Sequence, residues 1–257
     1  MKTREVKRIV RGKRTIDGAG VRLIRVLSRG DTDDIDPFLM MDAFGSDNPA
    51  DYIAGFPMHP HRGIETITYL LEGRIDHRDS IGNSGSLTAG ELQWMTSGSG
   101  ILHEEMPQET EILEGLQFWL NMPRRDKMAA PSYFPITPDM LTDVPVEGGR
   151  VRLIAGEYGG AKGVQGNYVP ITMMDVELKP QAAIDIPIPA SNHCFVYLFR
   201  GSAIVGSTMV DRLSAAILDA GDTVSILAGD EGVRLVLLAG DPLKEPIAWG
   251  GPIVMNT

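Results

Sequence analysis

Four residues in the first half of the chain have types and spacing suited to metal chemistry. His59 and His61 stand two apart in GFPMHPHRG, and His103 and Glu105 stand two apart in GILHEEMP. In a β-strand, residues i and i+2 point to the same face, so each pair aims two donor atoms the same way. Three imidazoles and one carboxylate, on strands roughly forty residues apart, suit a divalent transition ion.

Such a set leaves a net charge of about +1 on a divalent ion and two open positions if the ion is octahedral. It adds one imidazole to the two-His, one-carboxylate arrangement of non-haem Fe(II) oxygenases. Two adjacent open positions suit a chelating substrate, or a substrate oxygen together with O2. Zinc with four protein ligands would instead be closed and structural. Fe, Mn, Co, Ni, Cu and Zn all remain compatible with the set. The competing reading is that these are buried histidines satisfied by hydrogen bonds. Histidine is not a favoured fully buried residue, and three of the chain's five histidines fall in this one pattern.

Neighbouring residues are weighed by the same strand parity. Glu65 shares the parity of His59 and His61, which makes it a candidate acceptor for an imidazole N–H. Glu104 has the opposite parity to His103 and Glu105 and is expected to face away. His77 is expected to be a solvent-exposed turn histidine, with a proton-shuttling role as the alternative. His193 and Cys194 are adjacent and so point to opposite faces, which leaves Cys194 as a core cysteine. Gly160, Gly163 and Gly166 lack the strand-to-helix context of a phosphate loop and read as a flexible loop.

The elements that must position these residues are short strands. Residues 5–28 alternate around a Gly-rich turn and read as a β-hairpin. ETITYLLEGRIDHRDS reads as two strands turning at Glu72-Gly73, LQWM as a short strand, and GILHEEM as the strand carrying the second ligand pair. LEGLQFWLNMP alternates apolar residues up to Pro123. RRDKMAAPSYFPITPDML, rich in proline and without a clear period, is expected to cross between domains, with room for one helical turn. Gly148–Glu157 then opens a second β-rich half, and no strong amphipathic helix occurs anywhere. Many short strands with Gly-rich turns indicate a barrel or a sandwich.

The halves also resemble each other. TYLLEG aligns with VYLFRG, and LTAGELQWM with LDAGDTVSIL, in the same order. Two matched landmarks suggest a duplicated β-domain. The second half holds a single histidine, His193, so a three-histidine site can exist only in the first.

Composition narrows the remaining classes. A formal net charge of −10 gives no electrostatic footprint for direct nucleic-acid contact or an anionic membrane. Against this, basic residues from Lys2 to Arg14 crowd the N-terminus and read as a solvated strand face. The lone Cys194 suits a reducing cytosol. No apolar run approaches the ~18 residues of a membrane span, and the N-terminus lacks a signal-peptide core. A cytoplasmic protein is expected.

The motifs DPFLMMDAFG, GFPMHPHRGIETITYLLEG, GELQWMTSGSGILHEEMP and GLQFWLNMP resemble the N-terminal signature of the pirin family, within the cupin superfamily. LLAGDPLKEPIAWGGPIVMNT resembles that family's closing segment. The resemblance implies an all-β fold of two stacked cupin-type β-barrels (a bicupin), with a metal in the first barrel and none in the second. The expected division is 1–130 and 131–257. The implied ligands are His59, His61, His103 and Glu105, with Glu65 kept behind them, and the implied metal is Fe(II). The general cupin pattern would ligate through Glu65; the pirin pattern uses Glu105, which is followed here. Two departures are visible: many relatives continue past the MNT motif, and Met58 stands where relatives often carry a polar residue.

By that resemblance the expected activity is a quercetinase-like dioxygenase that opens the heterocyclic ring of a flavonol with O2 and releases carbon monoxide. Glu105 would act as general base toward the 3-hydroxyl. Phe44, Phe56 and Trp94 are candidate aromatic walls, and Arg62 and Gln117 candidate orienting groups, for a flat substrate. The alternative implied function is a metal- and redox-dependent regulator binding a protein partner, a transcription factor or a metabolic enzyme. A monomer is expected.

Overall fold

The computed structural model describes residues 2–257. The chain divides into two compact all-β units, and the division interleaves. The first barrel comprises Lys13–Arg29, Phe38–Pro138 and Lys244–Thr257; the second comprises 2–12, Gly30–Pro37 and Asp139–Leu243.

In the first barrel, a seven-stranded antiparallel sheet runs in the order Ser132–Ile136, Leu92–Thr96, Ile64–Glu72, Leu113–Asn121, Phe38–Ser46, Val21–Leu27 and Lys13–Asp17. A four-stranded sheet runs Phe56–His61, Ile101–Pro107, Arg74–Asp79 and Ser84–Thr88. The two strands expected to turn at Glu72-Gly73 do so, and the turn is a corner, since they belong to different sheets. Gly73 makes the bend at φ +96, where an added Cβ would stand 2.9 Å from the Ile112 carbonyl oxygen.

The second barrel repeats this order. Its main path is Val6–Arg11, Ser214–Leu218, His193–Val205, Thr223–Gly240, Ile171–Leu178, Gly149–Ala155 and Thr142–Val146. Ala183–Pro187 and Thr208–Asp211 pair onto the two long central strands, of 18 and 13 residues. Each long strand does the work that a pair of bent strands does in the first barrel. The duplication inferred from the two sequence landmarks is therefore a duplication of topology. Inside, aliphatic side chains such as Val176, Val196, Leu198, Leu235 and Leu237 are fully buried together. Cys194 is among them, and burial pushes its thiol up to about 12.

Four sequence expectations are corrected here. The alternating segment 5–28 is not one hairpin. Only Lys13–Asp17 and Val21–Leu27 pair with each other, while Val6–Arg11 pairs with Ser214–Leu218 in the second barrel. The proline-rich stretch contains a strand, Ser132–Ile136, which pairs with Leu92–Thr96 and closes the first barrel's sheet at the corresponding edge. The cut at 130/131 therefore gives way to the interleaved division, because each barrel completes its sheet with a strand from a distant part of the chain. The basic N-terminus is also less solvated than expected. Arg4 is 1% exposed and donates to the Asp219 and Pro189 carbonyls, while Lys7 and Arg8 pair with Asp34 and Asp31.

Residues 244–257 finish the first barrel. Their Ala248–Gly250 and Ile253–Met255 strands form a small hairpin. Val254 is buried against Leu39 and Ile64, and its N–H donates to the Arg62 carbonyl at 3.0 Å. The ammonium of Lys127, 1% exposed, donates to the carbonyls of Val254 and Gly63 and to Asn121 Oδ1 at 2.7–2.8 Å. Burial pushes its pKa down to about 8, with the Glu245 carboxylate opposing the shift. No helix among the described residues is long and apolar enough to cross a membrane.

Candidate metal centre

His59 and His61 lie on Phe56–His61, and His103 and Glu105 on Ile101–Pro107; the two strands are antiparallel neighbours. His103 stands directly opposite His59, and Ile101 opposite His61. Cross-strand partners share a face, so the register adds its own convergence to the two-residue spacing. The three rings gather with centroids 4.5–5.0 Å apart, and one ring nitrogen from each lies within 4.8 Å of the others. Buried residues alternate along Ile101–Pro107, with Ile101, His103, Glu105 and Pro107 inward and Leu102, Glu104 and Met106 more exposed. Glu104 pairs outward with Arg78, as parity required.

The ring nitrogens are set up to accept a cation. His59 Nδ1 donates to the Pro57 carbonyl at 2.9 Å, which leaves Nε2 as the lone-pair nitrogen. That Nε2 is 3.1 Å from His61 Nε2. His103 Nε2 is buried with no hydrogen-bond partner, while its Nδ1 lies 3.4 Å from Tyr133 Oη. Burial, reinforced by mutual repulsion among the imidazoles, pushes His61 and His103 down to about 3. Neutral, converging imidazoles with an orphaned buried nitrogen fit a transition ion, with Tyr133 behind one ring as an outer partner. Glu105 is outside the group of mutually close donors. Its carboxylate accepts from Thr68 Oγ1 at 3.2 Å and Gln117 Nε2 at 3.1 Å.

His59, His61 and Glu105 open onto a cavity of about 610 Å³, within the range of small-molecule sites. One of its walls is a polar row across the larger sheet. Arg25 pairs in register with Asp42, Asp42 with Gln117, and Gln117 with Thr68. Arg25 forks onto Asp42 through Nε and Nη2 at 3.0 and 2.8 Å, and its Nη2 also reaches Asp17 at 2.7 Å. Burial raises the Asp42 carboxyl while the Arg25 fork opposes it. Trp119 and Trp249 form an aromatic wall, with ring centroids 5.8 Å apart, and His61 meets Trp119 edge-on at 5.1 Å.

Not every sequence candidate reaches this cavity. Phe56 and Gln117 do. Phe44 lines a separate space of about 20 Å³ behind Glu105, shared with Phe56, Thr68 and Gln117. Trp94 pairs with Ile67, one residue out of phase with Thr68, and so faces away from the polar row. Glu65 faces away for the same reason, and its hydrogen bond comes from Thr96 Oγ1 at 2.7 Å. Glu65 departs from the parity of His59 and His61 because Gly63, at φ +74, resets the alternation between two strands of different sheets. Arg62 turns to Met128 Sδ at 3.3 Å. His77 is no turn residue. It lies half-buried on Arg74–Asp79 opposite Glu105, stacked on Tyr133 with centroids 5.6 Å apart.

Sequence reasoning missed Asp17, Arg25, Asp42, Trp119, Tyr133 and Trp249. Trp119 carried a usable signal, because it stands two residues from Gln117 on the same strand. Trp249 carried none, being supplied by a hairpin far along the chain.

The Pirin family profile matches residues 20–120, and the profile of the Pirin C-terminal cupin domain matches 173–257. The chain belongs to the pirin family. It is 42% identical to a pirin-like protein of Caulobacter vibrioides, over 100% of this chain and 94% of that one. It is 38% identical to human pirin, over 94% and 84% of the two chains. A crystal structure of quercetin 2,3-dioxygenase from Acinetobacter baumannii superposes with a TM-score of 0.92 at 30% identity, covering 99% of this chain and 93% of that one. The pirin fold of two cupin barrels is thus shared along nearly the whole chain.

Proposed function

We propose that this pirin is a dioxygenase, with iron as its metal, that opens flavonol-type aromatic heterocycles with O2. The observation that carries the reading is the gathering of the His59, His61 and His103 imidazoles, with His59, His61 and Glu105 lining one aromatic-walled cavity. His59, His61, His103 and Glu105 would hold the metal. A divalent iron there would supply Lewis acidity toward a substrate oxygen and electron exchange with O2.

The chain's own residues do the rest. The Pro57 carbonyl fixes the His59 tautomer so that Nε2 faces inward. Thr68 and Gln117 hold Glu105 by its oxygens, leaving a carboxylate to take the proton of a bound enolic hydroxyl on Oε. Phe56 and Trp119 flank the space in which a flat ring system lies, and they keep water from much of its surface. The name of the Acinetobacter baumannii neighbour supports the same substrate class.

The test is oxygen uptake by iron-loaded protein supplied with quercetin, followed also by bleaching of the flavonol. Turnover that His61→Ala abolishes is the expected result. Fully loaded protein that consumes no O2 with any flavonol would defeat the proposal.

A further inference from the structure

The cavity has an inner end at His61, 4% exposed, and an outer part at Asp17, whose side chain is 48% exposed. Trp249 lines the same cavity from the far end of the sequence. Its ring is fixed on several sides. Nε1 donates to the Gly251 carbonyl at 2.8 Å, the Arg29 guanidinium lies 5.7 Å from the ring centroid, and Trp119 separates it from His61. The hairpin that carries it is pinned through Val254 by Lys127. A large ring held this firmly loses little side-chain freedom when a flat molecule stacks on it.

Asp17 supplies a different chemistry. Its Oδ1 accepts from the Gly18 N–H at 2.8 Å and its Oδ2 from Arg25 at 2.7 Å. Each carboxylate oxygen has a second lone-pair site, so the exposed side chain can still accept hydrogen bonds and can donate none. Asp17, Asp42 and Arg25 together carry one excess negative charge, which favours neutral hydroxyl groups and disfavours carboxylate or sulfate.

Resting on the proposed reaction, we infer that Trp249 and Asp17 form a subsite for the end of the substrate remote from the histidines. Trp249 stacks on that ring and Asp17 accepts from its hydroxyls. The preferred substrates are then planar aromatics with free hydroxyls at the remote end, and the closing segment of the chain sets specificity in a barrel built mainly from its first half.

The experiment is a binding titration of metal-loaded protein without oxygen, read by quenching of tryptophan fluorescence and by calorimetry. The probes are quercetin, with hydroxyls on its pendant ring, and galangin, with none there. Wild type should bind quercetin about tenfold more tightly, the worth of one charge-assisted hydrogen bond. Asp17→Ala should erase that preference, while Asp42 still holds Arg25. Trp249→Ala should weaken both probes about tenfold and keep the preference, with Trp249→Phe restoring most of the affinity. Metal content should not change in any variant. A preference that survives Asp17→Ala, or unaltered binding in Trp249→Ala, overturns the subsite even if flavonols are turned over. If no flavonol is turned over but the preference is present and vanishes in Asp17→Ala, the subsite stands and the reaction assignment falls.

Discussion

Lys127 Nζ donates to the Val254 carbonyl at 2.8 Å, across 127 residues of sequence, inside a wholly buried pocket. The same ammonium spans the Gly63 carbonyl and Asn121, so one side chain joins the closing hairpin to the corner that follows His61. Lys127→Met keeps much of the volume and leaves these acceptors without donors. The expected cost is about 2–4 kcal/mol. Amide exchange should rise first in the segment around Val254, before the rest of the first barrel. Uniform loss of protection throughout the barrel would argue against a local strap.

Glu105 carries two proposed roles. As a metal ligand it would bind the ion, and as a base it would hold a proton. Glu105→Gln keeps the shape and the contact region of Thr68 and Gln117 but removes the charge. Metal affinity should fall by about tenfold or more, and oxygen uptake with quercetin should stop even when the site is saturated. Affinity equal to wild type, measured by competition with a chelator, would remove Glu105 from the ligand set.

Gly63 tests the corner itself. An added Cβ would lie 2.1 Å from the Val254 carbonyl oxygen, on backbone at φ +74. Neither the strand nor the pinned hairpin can retreat without breaking the Lys127 contacts. Gly63→Ala should therefore cost at least about 3 kcal/mol, from strain and clash together. Thermal unfolding of soluble variant protein checks this, and a Tm within a degree or two of wild type would show that the corner is more pliable than its contacts imply.

These corners also explain what was legible in the sequence. The histidine pairs were readable because each sits within one uninterrupted strand, where alternation holds. Glu65 was misjudged because Gly63 intervenes, and Trp94 because its inward or outward direction depends on its register with Ile67. The duplicated topology left landmarks at Gly73 and Gly201. The interleaving did not, since nothing local marks Val6–Arg11 as the partner of Ser214–Leu218 rather than of the adjacent Lys13–Asp17. Asp17 and Trp249 meet one cavity from opposite ends of the chain, a coincidence that only the closed barrel creates.

The buried imidazoles set the acid stability of the metal-free protein. His61 and His103 are held at about 3 in the fold, against an ordinary value of 6.5. Between those limits the unfolded chain takes up protons that the folded chain refuses. Stability from these two groups is therefore complete above pH 6.5 and is lost as pH falls toward 3. The slope is at most about 1.4 kcal/mol per histidine for each pH step of one. Urea midpoints of metal-free protein should fall through this window, and His61→Gln with His103→Gln should flatten the fall. Bound metal should oppose the loss, because protons and the ion compete for the same nitrogens. A double variant with the slope of wild type would assign the acid sensitivity to other groups, with half-buried His77 the first to examine.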